Sequence, residues 1–347
     1  MMVAASEILK PTGQKPVALT IDGLSLEFPT YAGAIKALDD VTIEIGASEI
    51  VGLVGESGCG KSVTTMAATR LLPEGRYRVT AGSIRLFGRD PFAMDETELQ
   101  DVRGKLVSTI FQEPMNALNP TIRIGRQLVG VIQRHEAVSE AEAERTARGI
   151  LKDMLIAEPE RIMRAYPFEL SGGMRQRVLI AMAFSCNPGL IIADEPTTAL
   201  DVTVQAVILR LILDRAKRTG TSVVFISHNI AVVSQLCDRL YVMYAGRIVE
   251  SGPTRAVLEA PQHPYTQALL RCLPERVEPK AELEAIPGTV PNLLDPPPGC
   301  FYRPRCPEAN DRCFAKPPSM APAPDHIVAC WRRETIQPSI KAREATQ

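Results

Sequence analysis

The chain has 347 residues, 45% apolar and 23% charged, with 39 Lys and Arg against 40 Asp and Glu for a formal net charge of −1. That length exceeds one ordinary domain, and the composition is that of a globular protein with a buried core. The charge balance removes the basic excess that marks most nucleic-acid binders. No run approaches the roughly 18 apolar residues of a membrane-crossing helix.

Residues 1–17 read as a polar tail in which Ser6, Glu7 and Lys10 interrupt any apolar signal core, so the chain is expected to stay in the cytoplasm. Residues 18–28 and 41–45 alternate apolar and polar, as half-buried antiparallel strands do, and residues 50–54 form a buried strand entering a glycine-rich turn. Arg70, Arg76, Arg78, Arg85 and Arg89 make a loose basic cluster, read as a solvated face. Residues 113–170 form a helical insertion. Within it Ser139 and Glu142 make a capping box, and Ala143, Ala147, Ile150, Leu151, Met154 and Leu155 share one helical face. Strand patterning returns at 190–193 and 222–226, each run followed by a helical stretch, which predicts a parallel sheet flanked by helices. Eleven of the 28 prolines lie between Pro287 and Pro324, so regular helix or central strand is not expected there. A boundary near Ser251 separates a main domain, 18–255, from a small irregular one, 256–335, with a tail over 336–347.

Chemistry enters at Gly55-Glu56-Ser57-Gly58-Cys59-Gly60-Lys61-Ser62, followed by Val63, directly after the 50–54 strand. This is the phosphate-loop pattern: glycines let successive N–H groups turn inward, the helix N-terminus favours anions, Lys61 bridges β- and γ-phosphates, and Ser62 helps hold Mg²⁺. The same helix end is expected to lower the thiol pKa of Cys59, a liability rather than a role. A phosphate loop alone leaves kinases, helicases, GTPases and transporters open. A second apolar strand ends in Asp194 and Glu195, the first placed for the Mg²⁺ shell and the second to polarise a water. His228 and Gln112 end further apolar runs, at the edge where open α/β sheets bind ligands. The segment Leu170-Ser171-Gly172-Gly173-Met174-Arg175-Gln176-Arg177 is a second anion site, with Ser171 as N-cap and two glycines baring amides at a helix start.

That last segment resembles the signature motif of ABC ATPases, and the resemblance extends over roughly 18–255. It implies the P-loop NTPase fold of ABC type: a RecA-like α/β core with an antiparallel β subdomain and a helical insertion. It also implies that Gly55 to Ser62 is the Walker A, Gln112 the Q-loop and Asp194 the Walker B carboxylate. Glu195 becomes the catalytic glutamate, Asp201 the D-loop aspartate, His228 the switch histidine and Tyr31, ahead of Phe28, the adenine-stacking aromatic. In that family Ser171, Gly172, Gly173 and Gln176 face ATP held by a partner subunit. Residues 262–269 and 286–288 resemble the extension of dipeptide/oligopeptide importer ATPases, a group that includes nickel importers. This implies ATP-driven peptide import with a second, paralogous ATPase, two permease subunits and an extracytoplasmic binding protein, at the cytoplasmic face of the membrane. Three rivals of other classes remain: a DNA-repair ATPase, which would carry a long coiled coil between Ser62 and Asp194, a translation-associated protein, which would carry two nucleotide domains, and a P-loop kinase, which would lack the signature. Cys300, Cys306, Cys313 and Cys330 lack a C-x2-C knuckle, and a [4Fe-4S] cluster, zinc, and free thiols or disulfides all stay open, the cluster being implied by the importer resemblance.

Overall fold

The computed structural model describes residues 17–112, 117–197, 201–273 and 285–333. In chain order the strands are β1 (Val17–Thr30), β2 (Gly33–Gly46), β3 (Ile50–Val54), β4 (Arg78–Leu86), β5 (Val107–Ile110), β6 (Leu190–Asp194), β7 (Ser222–Ser227), β8 (Arg239–Tyr244), β9 (Arg247–Pro253), β10 (Ser319–Ala323) and β11 (His326–Ala329). The helices are α1 (Lys61–Ala68), α2 (Glu96–Val102), α3 (Ile124–His135), α4 (Glu140–Asp153), α5 (Pro159–Arg164), α6 (Gly172–Ala183), α7 (Val202–Thr219), α8 (Ile230–Ser234), α9 (Thr254–Glu259) and α10 (Pro264–Arg271). None of these helices is long and apolar enough to cross a membrane. The chain divides into two compact units that do not follow chain order. The first holds 86–225 with the pieces 17–19 and 45–49; the second holds 20–44, 50–85 and the described residues from 226 onward.

In the first unit β7, β6 and β5 are neighbours, and β5 pairs with β6 in parallel from Val107↔Leu190 to Ile110↔Ala193. Leu190, Ile191, Ile192 and Ala193 are all buried, the continuous apolar run of a strand covered on both faces. The helical insertion forms as its pattern predicts. Ser139 Oγ accepts the Glu142 N–H at 3.3 Å while the Glu142 carboxylate accepts the Ser139 N–H at 2.9 Å, completing the capping box. Ala143, Ala147, Ile150, Leu151 and Met154 are buried. Leu155 departs from expectation. The helix closes on Met154 as its C-cap, so Leu155 takes φ +56° and is 61% exposed.

In the second unit β2, β1 and β4 form one sheet, and the run β10–β11–β9–β8–β3 belongs to another. β3 pairs with β8 in parallel from Val51↔Arg239 to Val54↔Val242, and β8 with β9 antiparallel. The proline-rich stretch adds strands to this sheet: β11 pairs with β9 through Ile327↔Ser251 and Val328↔Glu250. Of the prolines over 287–324, Pro322 alone enters a strand among the described residues, the outer β10, where it sits in the register break between Met320 and Ala323. Glu250, 1% exposed, anchors the join. Its carboxylate accepts the N–H groups of Gln262 (2.7 Å) and His263 (2.9 Å), and His326 Nε2 lies 2.7 Å away. Cation–π contacts add to the buried Phe301, Tyr302, Met320 and Val328 of this small region: Arg247 over Phe301 at 3.5 Å, Arg303 over Phe314 at 3.7 Å and Arg312 over Trp331 at 4.8 Å. Of the basic cluster, Arg70 pairs with Glu74, Arg78 with Glu27 and Arg89 with Glu98, as a solvated face would.

Candidate functional site

The phosphate loop lies in the second unit, between buried β3 and α1. A Cβ on Gly55 would lie 2.1 Å from the Met243 carbonyl oxygen, so only glycine lets the loop leave β3 this close to β8. Gly60 takes φ +108° as N-cap of α1 and offers no side-chain cap, which leaves the first amides of the helix for an anion. The Lys61 ammonium, 6% exposed, donates to the carbonyls of Gly55 (2.8 Å) and Glu56 (2.9 Å), drawing the loop around itself. Ser62 and Val63 follow, half-buried. Ser57 and Gly58 are both exposed, Gly58 with φ +76°. Cys59 corrects an expectation. It is fully buried, and that burial pushes its thiol up even though Lys61 stands beside it, so desolvation outweighs the helix end and the cation.

Tyr31 sits fully exposed at the turn between β1 and β2, whereas Phe28 is half-buried within β1. Of the two, Tyr31 has the free ring face that stacking on a base requires. His228 is exposed just beyond β7, where Asn229 caps α8 by accepting the N–H of Ala231 at 3.0 Å.

The carboxylates lie in the first unit. β6 delivers Asp194 at its end, half-buried, and Glu195 next, at φ +44°. A left-handed glutamate costs of order 1 kcal/mol or more, and such strain persists where a side chain must be aimed. The aim is visible: Gln112 Nε2 donates to Glu195 Oε2 at 3.2 Å across 83 residues of sequence. Gln112 and Glu195 are thus brought together, as a pair of strand-end residues should be.

Ser171, exposed, is the N-cap of α6, and its Oγ accepts the Met174 N–H at 3.3 Å. Gly172 and Gly173 open the helix, and a Cβ on Gly173 would meet Val204 Cγ1 at 3.3 Å. Gln176 is 1% exposed, and its Nε2 has no hydrogen-bond partner among the described residues. Asp201 is exposed as the N-cap residue of α7 and makes no side-chain cap.

None of the eight cysteines, all among the described residues, forms a disulfide. Cys300, Cys306, Cys313 and Cys330 fall in one neighbourhood of the second unit, where the Cys300 N–H donates to the Cys313 carbonyl at 2.9 Å. Burial pushes the Cys306 thiol up to about 11, and the neighbouring Cys300, Cys330 and Cys313 add to the rise. Among the described residues no three His, Cys, Asp or Glu side chains are grouped to hold a metal ion.

One feature of the loop escapes sequence reasoning. Arg305 Nη1 donates to both Glu56 carboxylate oxygens, at 3.0 and 3.1 Å, across 249 residues. The Glu56 N–H donates to Tyr265 Oη at 2.9 Å. Glu56 is a free position of the glycine pattern, so no spacing rule marks it or its partners.

Known proteins give these sites a context. Residues 38–198 match the family model "ABC transporter", and residues 249–313 match "Oligopeptide/dipeptide transporter, C-terminal region". The chain is 54% identical to the probable D,D-dipeptide transport ATP-binding protein DdpD of Escherichia coli, over 90% of this chain and 96% of that one. It is 42% identical to the oligopeptide transport ATP-binding protein OppD of Bacillus subtilis, over 95% and 92%. Its fold matches the dimeric post-hydrolysis state of the ATP-binding cassette MJ0796 bound to ADP and Pi, with a TM-score of 0.61 and 27% identity over 68% of this chain and 99% of that one. The chain therefore belongs to the ABC transporter family of ATPases, in the group of dipeptide and oligopeptide transport ATP-binding proteins.

Proposed function

We propose that this chain is the motor subunit of a peptide importer: it binds and hydrolyses ATP at the cytoplasmic face of the membrane to drive di- or oligopeptides through a separate permease. The observation that carries the reading is the match of 249–313 to the oligopeptide/dipeptide transporter C-terminal region, in a chain whose relatives are named for peptide transport along nearly their whole lengths. In this reading Tyr31 stacks the adenine, Gly55 through Val63 wrap the phosphates, and Ser62, Gln112 and Asp194 hold Mg²⁺. Glu195 orients the attacking water, with Gln112 and His228 sensing the γ-phosphate. Ser171, Gly172, Gly173, Gln176 and Asp201 complete the pocket of a second ATPase subunit, a paralogue. Two permease subunits dock on the helical insertion over 113–170, of which 113–116 lie outside the described residues. An extracytoplasmic binding protein delivers the cargo. The division into 18–255 and 256–335 is retained as a functional one, motor and importer-specific extension.

Coupling requires that ATP bind the closed pair of motors better than the open one, because only differential affinity moves a conformational equilibrium. The test is uptake of a labelled dipeptide into vesicles holding the permease, both ATPases and the binding protein. Uptake that needs ATP and stops with Lys61→Ala supports the reading. Nickel uptake without peptide uptake would assign the cargo to the other branch of the importers, and ATP turnover indifferent to the permease would remove the transport role.

The four C-terminal cysteines hold a [4Fe-4S] cluster rather than zinc. Among the described residues no three His, Cys, Asp or Glu side chains are gathered around one point, which supports neither group over the other. What supports a cluster is that all four cysteines lie in one segment, where the Cys300 N–H meets the Cys313 carbonyl and a polynuclear group would bridge the loops. Bound, such a group would cross-link the segment. Iron and sulfide analysis of anaerobically purified protein, with its visible spectrum, tests this; colourless protein retaining one zinc would reverse it.

A further inference from the structure

The phosphate loop carries its own negative charge at Glu56, in the element that receives a polyanion. An unpaired carboxylate there opposes binding of a triphosphate. The structure gives that carboxylate a dedicated cation. Arg305 is buried, with a side chain 4% exposed, and its guanidinium is held in a full set of contacts. Nη1 donates to both Glu56 oxygens and to Tyr244 Oη (3.3 Å), Nε to the Pro287 carbonyl (2.9 Å) and Nη2 to the Ile286 carbonyl (3.2 Å). Tyr265 adds a second tie by accepting the Glu56 N–H, which occupies that amide. The rings behind these contacts pack as one group. Tyr244 lies 4.6 Å from Tyr265 and 5.2 Å from Tyr302, and Tyr265 lies 5.4 Å from Tyr302, so loop, helix and C-terminal segment cannot shift independently. Arg305 ends the 3-10 turn Arg303–Arg305, between Cys300 and Cys306.

We propose that Arg305 and Tyr265 are positioning residues of the ATP-binding loop, through which the C-terminal segment sets the motor's affinity for ATP. Arg305 neutralises and draws back the Glu56 carboxylate, while Tyr265 fixes the peptide that precedes the phosphate-binding amides. Because linkage is reciprocal, ATP in turn tightens the segment around residues 286–306. The inference rests on the reading of Gly55 to Ser62 as the ATP loop.

The experiment measures the Kd of a fluorescent ATP analogue for the full chain and its variants. Arg305→Ala is expected to weaken binding about tenfold, and Tyr265→Phe, which keeps the ring and deletes the acceptor, by a smaller factor. Adding Glu56→Gln to Arg305→Ala restores affinity to within about threefold of wild type, an outcome that charge neutralisation predicts and that loss of packing does not. Arg305→Lys keeps the charge without the fork and falls between. Hydrogen exchange of residues 286–306 slows when the analogue is added to wild type, and does not slow in Arg305→Ala. Affinities within twofold of wild type for both Arg305→Ala and Tyr265→Phe overturn the proposal, as does a double variant no better than Arg305→Ala. Should Arg305→Ala not fold, Arg305→Lys and Tyr265→Phe carry the same decision. Lys61→Ala, run alongside, separates the failures: wild-type affinity in that variant refutes the loop reading itself.

Discussion

Replacing Glu250 by alanine should loosen the C-terminal region from the sheet, and the size of the effect can be worked from its contacts. The carboxylate is buried and meets three donors, the N–H groups of Gln262 and His263 and the His326 ring, at 2.7, 2.9 and 2.7 Å. Each buried donor left without an acceptor costs about 1–3 kcal/mol, and loss of one partner from a buried charged arrangement typically costs about 3–5 kcal/mol in all. For a chain of 347 residues, whose unfolding entropy is about 0.7 kcal/mol/K, that corresponds to a fall in Tm of roughly 4–7 °C. His326→Ala removes one donor and leaves the other two paired, so it should cost no more than about 2 kcal/mol. Thermal unfolding followed by circular dichroism gives both numbers. Hydrogen exchange should show residues 319–329 opening first, because β11 reaches the sheet through β9 beside Glu250. A Glu250→Ala protein whose midpoint falls by less than about 2 °C would refute the claim that this carboxylate ties the extension down.

Two other outcomes are expected. Glu195→Gln should lower ATP hydrolysis by about 10²–10⁴-fold while ATP binding persists, measured by phosphate release and nucleotide retention; wild-type turnover would remove Glu195 from the chemistry. Asp39 sets an acid-side dependence. Burial alone would raise its carboxyl, but hydrogen bonds from Arg247 at 2.9 and 2.5 Å, with Lys316 nearby, hold it below the ordinary value of 3.8. Its stabilisation is therefore present above pH 3.8 and is lost as pH falls through the lower folded value. Asp39→Asn should flatten that part of the acid-unfolding curve, and an unchanged curve would dismiss the contribution.

Much of the site was legible because its chemistry is local in sequence. Residues 55–62 must turn tightly after a strand and bare their amides, so glycine spacing reports the geometry directly. Asp194 and Glu195 end an apolar run, and the Ser139–Glu142 capping box is written in two residues three apart. Other features depend on partners distant in the chain. Cys59 read as a helix-end thiol, yet its environment is set by burial that no neighbour in sequence announces. The prolines over 287–324 indicated irregular chain, and they do keep out of internal strands. They could not reveal that residues 326–329, which hold no proline, pair with β9. Arg305 and Glu56 meet across 249 residues, and a variable position in a glycine pattern gives no signal of its partner.

In the proposed function, one chain's Ser171 loop closes over ATP bound at another chain's phosphate loop. Vanadate with ADP and Mg²⁺ takes the place of the γ-phosphate, and ultraviolet light then cleaves the backbone beside it. In the assembled transporter, cleavage of this chain both within residues 55–62 and at Ser171 is the predicted result. Cleavage confined to residues 55–62, with Ser171 untouched under turnover conditions, would contradict the account.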